Sequence, residues 1–168
     1  IGLHGFEYVE YDEHALANPT DERMFQLYSA LKDGMEVSHL AELTKMDEFF
    51  IYKNKNIVDF EATVTKEALD DKDYLLKAKK LGFTDKVIAK LSGKKEEEIK
   101  KLREKNNIVA SFKVVDTCAA EFEAKTPYYY SSYDDGCEAK KSNKKKVMVL
   151  GSGPIRIGQG IEFDYCSV

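Results

Sequence analysis

The residues best placed for chemistry stand near the end of the chain, where an apolar run at 147–150, VMVL, feeds the glycine loop GSGPIRIGQGIEFDY. A strand that runs into glycines is how a nucleotide-binding α/β unit opens, so phosphate binding is the chemistry to test first. The loop falls short of both phosphate fingerprints. The dinucleotide pattern GxGxxG asks for glycine at 156 and meets Arg156. The pattern GxxxxGK[ST] is satisfied by Gly153 and Gly158, but Gln159 stands where the lysine belongs. Gly151, Gly153, Gly158 and Gly160 therefore suit close approach of the backbone to a small ligand or to another chain segment, or a tight strand-to-helix turn without a ligand.

Other chemistry-bearing residues are dispersed. His4, His14 and His39 share no spacing that would make a metal site or a catalytic triad. The carboxylates are many, yet no pair sits in an apolar setting that would split their pKa values, so neither a general acid nor a general base is nominated. Cys118, in DTCAAEF, reads as a buried inert thiol as readily as a nucleophile. Tyr128, Tyr129, Tyr130 and Tyr133 could stack on bases, but stacking sites interleave Arg or Lys, and here the neighbours are Ser and Asp. Ala89, Gly93 and Ile99 keep the spacing of a helix-turn-helix, with Val87, Ile88, Leu91 and Leu102 on inner faces. The helix that would read DNA opens with Glu96, Glu97 and Glu98, which oppose phosphate but suit the positive end of a helix dipole. A packed helical corner is the better reading. Net charge −4 and a pI near 5.5 supply no field for polyanions.

The elements that must position these residues are mostly helices. From Asn18 onward the period is helical, with Met24, Leu27, Tyr28 and Leu31 on one face and Gly34 as the stop. A shorter helix covers 38–43. Thr44 and Asp47 resemble a capping box for a third, long helix, in which Met46, Phe49, Phe50, Ile57, Phe60 and Val64 form a buried aromatic face while Lys53 and Asn54 face water. Small helices follow at 72–81, 85–91 and 95–105, closed by Gly82, Gly93 and Asn106-Asn107, with Thr84 capping the middle one. The period changes to an extended one at 108–115. Residues 116–138 are read as an irregular arm, broken at Pro127, whose tyrosines pack against another surface. Residues 139–146, AKKSNKKK, are a solvated linker.

The expected architecture is thus mainly α: a helical, bundle-like domain with a C-terminal arm over 1–138, a polar linker over 139–146, and over 147–168 the first strand and glycine loop of a truncated α/β domain. A parallel strand needs neighbours on both sides, and none follows before Val168, so the sequence reads as a piece that crosses a domain boundary. At 168 residues it accommodates one ordinary domain and a stub. No apolar run approaches the length of a membrane span, and neither a secretory signal nor a disulfide framework is visible in a chain with three widely spaced cysteines. These features point to a cytoplasmic protein with no membrane and no nucleic-acid partner.

VMVLGSGPIRIGQGIEFDYCSV resembles the opening of the second synthetase half of the carbamoyl-phosphate synthase large chain. The likeness continues upstream through RMFQLYSALKDGMEVSHLAELTKMDEFF, KVIAKLSGKKEEEIKKLRE and VVDTCAAEFEAKTPYYYSSYD, and so covers nearly the whole chain. It implies that the helical part is a non-catalytic oligomerisation domain and that residues 147–168 begin the carbamate-phosphorylating half. The parent enzyme would then be a ligase of ATP-grasp type in arginine and pyrimidine biosynthesis. It would make carbamoyl phosphate from bicarbonate, ATP held with Mg2+ or Mn2+, and ammonia, either free or from a glutamine amidotransferase subunit. By the same resemblance Gly160 and Glu162 line a carbamate tunnel. No cofactor is expected in this segment alone; the partners it implies are a second copy and the remaining synthetase halves. Retained nucleotide binding through the glycine loop stays as the alternative, with DNA binding behind it.

Overall fold

The computed structural model describes residues 7–125, 128–140 and 142–148. Their order is α1 (Glu13–Ala17), α2 (Arg23–Lys32), α3 (Val37–Thr44), α4 (Glu48–Ala62), a 3-10 turn (Ala68–Asp70), α5 (Lys72–Lys80), α6 (Asp85–Ser92), α7 (Glu96–Lys105), then β1 (Ser111–Val114) and β2 (Tyr129–Ser132). The protein is mainly α, as its periodicity predicts.

Local chemistry sets the helix ends. Side chains of Asp12, Asp47, Asp71 and Thr84 accept backbone N–H groups in the first turns of α1, α4, α5 and α6. At α7 the Glu98 carboxylate reaches back to the Lys95 N–H at 2.7 Å. Several helices close with the same device, in which an N–H two or three residues past the end returns to a carbonyl in the last turn: Met35 to Ala30, Phe83 to Ala78, Lys94 to Ala89 and Ile108 to Arg103. The device needs a left-handed residue, supplied by Gly34, Gly82, Gly93 and Asn107.

Burial divides between two apolar clusters. Leu16, Leu27, Ala30, Leu31, Val37, Leu40 and Ile51 join α1 to α4, whereas Phe60, Val64, Leu69, Leu75, Ala78, Phe83, Ile88, Ala89, Ile99 and Ile108 join the end of α4 to α5, α6 and α7. Helix α4 is the strut common to both. The α6–α7 pair packs as a helical corner, with Ile88, Ala89 and Ile99 inside and Glu96 to Glu98 exposed.

Several expectations need correction. The helical segment placed from Asn18 is two helices: Asn18 is the C-cap of α1, and α2 begins at Arg23 with Met24 on its exposed side. Thr44 does not open α4. Its hydroxyl donates to Leu40 O at 2.6 Å inside α3, and Asp47 caps α4 alone. The aromatic face expected on α4 is buried only at its far end: Phe60 and, just past the helix, Val64 are inside, whereas Phe49 and Phe50 are exposed because the first turns of α4 point Ile51 and Asn54 inward. Asn54, expected in water, is 8% exposed and turns its amide onto Phe50 O at 2.9 Å. The arm is not wholly irregular: β2 pairs antiparallel with β1, Ser111 opposite Ser132 and Val114 opposite Tyr129. Of the strand expected at 147–150, Val147 and Met148 are described and stand exposed outside any strand; the rest of it and the glycine loop lie outside the described residues.

Candidate interaction surfaces

Charged side chains with little exposure meet where α5, α6, α7 and the ribbon come together. The Lys79 ammonium, its side chain 6% exposed, donates to Phe83 O at 2.7 Å and to Asp85 Oδ1 at 2.8 Å. Arg103 donates to both Asp85 oxygens at 2.9 Å through Nε and to Ile108 O at 3.1 Å. Burial works to raise the Asp85 pKa; the hydrogen bonds from Arg103 and Lys79 outweigh it and hold the carboxyl below the ordinary value. The same contact with Asp85 raises Arg103. A cleft of about 360 Å³ opens beside this group, lined in part by Glu96 and Tyr133. Its charges are committed to one another and to backbone carbonyls, so the arrangement staples helices and offers a ligand no free cation.

A second cluster ties α2 to α4. The Tyr28 hydroxyl donates to Glu61 at 2.6 Å, and Lys32 meets the same carboxylate at 2.6 Å. Burial first, and then Glu61, raises Tyr28, while the hydrogen bond to Glu61 raises Lys32. This too is structural.

The ribbon carries the tyrosines read from the sequence. Ser111 donates to Asp134 O at 2.7 Å, and the outer edge of β1 is covered by Glu138, whose N–H donates to Phe112 O and whose carboxylate takes the Val114 N–H. Tyr133 packs on the apolar cluster that joins the end of α4 to α5, α6 and α7, beneath Lys79, whose ammonium lies 5.3 Å from its ring centre. Phe112, Tyr129 and Tyr130 remain about half exposed. The register puts Phe112 and Tyr129 on one face of the ribbon, since side chains alternate along each strand. Between the strands, Asp116 accepts the N–H groups of Cys118 and Ala120, shaping a turn in which Ala119 and Ala120 are both left-handed.

The other exposed aromatic group is at the start of α4. Phe49, Phe50 and Tyr52 surround Ile51, which alone of the four turns inward. The sequence pattern placed Phe49 and Phe50 on a buried face and did not single out Tyr52, though a signal for their exposure was there. Four consecutive large apolar residues on a helix point in four directions about 100° apart, so one neighbouring core cannot cover them all.

Gly160, Glu162 and the loop glycines, like His4, lie outside the described residues. His39 is 3.5 Å from Glu13, and His14 lies in α1. Cys118 is half-buried and Cys137 exposed. Among the described residues no group of three or more His, Cys, Asp or Glu could hold a metal ion, and no helix is long and apolar enough to cross a membrane.

Residues 1–107 match the family described as carbamoyl-phosphate synthetase large chain, oligomerisation domain, and residues 143–168 match the carbamoyl phosphate synthase preATP-grasp domain. The chain is 63% identical over its full length to the carbamoyl phosphate synthase large chain of Methanobrevibacter smithii and 54% identical to that of Methanothermobacter thermautotrophicus. Against the protein of that name from Archaeoglobus fulgidus it is 49% identical over 95% of its residues. It spans 16%, 16% and 15% of the length of these three relatives.

Proposed function

This chain belongs to the carbamoyl phosphate synthase large-chain family, in the region of that family's oligomerisation domain, and on that premise we propose that it is a non-catalytic module that self-associates and spaces the catalytic parts of its parent protein. The observation that carries the reading is a surplus of large apolar side chain: two filled cores account for the helices, yet Phe49, Phe50 and Tyr52 on α4 and Phe112, Tyr129 and Tyr130 on the ribbon stay exposed. A module built to stand alone would carry polar residues at those positions.

The parent protein, on this reading, is a cytoplasmic ATP-dependent ligase serving arginine and pyrimidine synthesis. It joins bicarbonate and ammonia to phosphate with ATP and Mg2+ or Mn2+, and an amidotransferase subunit partners it where glutamine is the nitrogen source. Residues 147–168 then open its carbamate-phosphorylating half, where Gly160 leaves room for a passing carbamate and Glu162 gives the passage a polar wall. Sedimentation equilibrium of residues 1–168 tests the module's role. Reversible dimers or larger species are expected, and a monomer at every concentration rejects self-association by this region.

A further inference from the structure

The start of α4 is an aromatic surface for which the described residues supply no cover. Phe49, Phe50 and Tyr52 are 58%, 57% and 50% exposed within five residues of the helix start. The rings are organised: Phe49 and Phe50 meet edge to face with centres 5.4 Å apart, and the Lys53 ammonium lies 4.8 Å from the centre of Phe49. Aromatic rings with a cation at the margin are the composition of an interface core, and a solvated helix gains nothing from them.

Area decides between the occupants of such a surface. Three rings of about 200 Å² each, half exposed, offer about 300 Å². A stable complex of separate molecules buries about 800 Å² on each partner. This patch has little room to spread, because exposed Asp47 and Glu48 stand before it and exposed Lys53, Asn56 and Asp59 follow along α4. So small a contact holds when both sides belong to one polypeptide, where the tether supplies an effective concentration in the millimolar range. The relatives supply such a polypeptide, since this chain spans only 16% of their length.

We propose that the aromatic start of α4 docks in cis on a folded domain of the same, longer polypeptide outside residues 1–168, and is not the contact between copies. Its position suits that role. Phe49, Phe50 and Tyr52 border the first cluster through Ile51, whereas the chain leaves the helices from the second cluster, through Ile108 into the ribbon. The inference rests on the spacing reading above and gives the spacer a grip at the end remote from its exit.

The test uses the full-length parent chain with a benzophenone amino acid at position 49, where the native ring is already exposed. After irradiation the crosslinked product is expected to keep the mass of one chain on a denaturing gel, in a yield independent of protein concentration. Peptide mass spectrometry should join position 49 to a residue outside 1–168. A product of twice the chain mass, or no crosslink beyond residues 1–168, overturns the proposal. The full-length double variant Phe49→Ser/Phe50→Ser should sediment as the unmodified protein does, and a loss of association would likewise overturn the proposal. Self-association by this region fails on a different result, a full chain that is monomeric at every concentration, which would leave a cis crosslink standing.

Discussion

Asp85 balances two cations whose other hydrogen bonds go to neutral backbone carbonyls. Its side chain is 13% exposed, against 6% for Lys79 and 18% for Arg103, so water does little to screen the three charges from one another. Removing one member of such a group leaves an uncompensated charge, which costs more than the intact group contributes. Asp85→Asn is expected to lower stability by about 3 kcal/mol, read as an earlier urea midpoint with unchanged slope. The acid limb checks the same residue. Because the folded pKa of Asp85 lies below its unfolded value, its contribution is complete above the unfolded value and is lost as pH falls through the folded one. Stability of the unmodified chain should therefore fall on acidification more steeply than that of Asp85→Asn, and parallel limbs would refute this assignment. Lys32 gives the opposite sign. Its folded pKa is raised, so its share is present below the unfolded lysine value and lost as pH climbs through the folded one. With Lys32 nearly half exposed, Glu61→Gln should cost only about 1 kcal/mol, and the alkaline limb should flatten.

Helix boundaries carry their causes in adjacent residues. Gly93 ends α6 at φ +66°, where the nearest atom to an added Cβ would be Lys66 Cε at 3.6 Å, an ordinary contact. Space is therefore not the constraint; the left-handed backbone is. Gly93→Ala should cost about 1 kcal/mol in thermal unfolding for that reason, and Asp47→Ala a similar amount through the lost cap on Phe49 N–H. Such local causes made α5, α6 and α7 legible in the sequence to within a residue or so, since Thr84, Gly82 and Gly93 act on their own neighbours. Non-local partners were not legible. The four residues of β2 read as irregular because their strand partner, β1, lies well back along the chain, beyond the Asp116 turn. The orientation of α4 was misjudged because it serves two cores on opposite faces: Ile51 and Phe60, about 180° apart on the helix, turn to different clusters, and near Ile51 the face that carries Phe49, Phe50 and Lys53 is left outside. The network around Asp85 left no sequence signal, since Lys79, Asp85 and Arg103 meet only after α5, α6 and α7 have packed.

At the scale of the molecule, the question is what force joins one copy to another. With 26 basic and 30 acidic residues the chain carries a modest net charge of −4, and lysines are spread over the exposed faces of α5 to α7 and the linker. If ion pairs held copies together, raising salt would weaken association as the Debye length shrinks from about 10 Å at 0.1 M to about 3 Å at 1 M. The exposed side chains that lack internal cover are of another kind: Phe112 and Tyr129 share a face of the ribbon, with Tyr130 on its other face. Burial of aromatic surface is insensitive to screening and is strengthened by excluded salts such as sulfate. Sedimentation equilibrium of the 168-residue chain across a sodium sulfate series should thus show a dissociation constant that holds or tightens. The double variant Phe112→Ser/Tyr129→Ser should weaken association at every salt concentration, because it removes the apolar face of the ribbon and leaves the charges untouched. A dissociation constant that rises steeply with salt, and that the double variant leaves unchanged, would transfer the contact to the lysine-bearing surfaces of the helices.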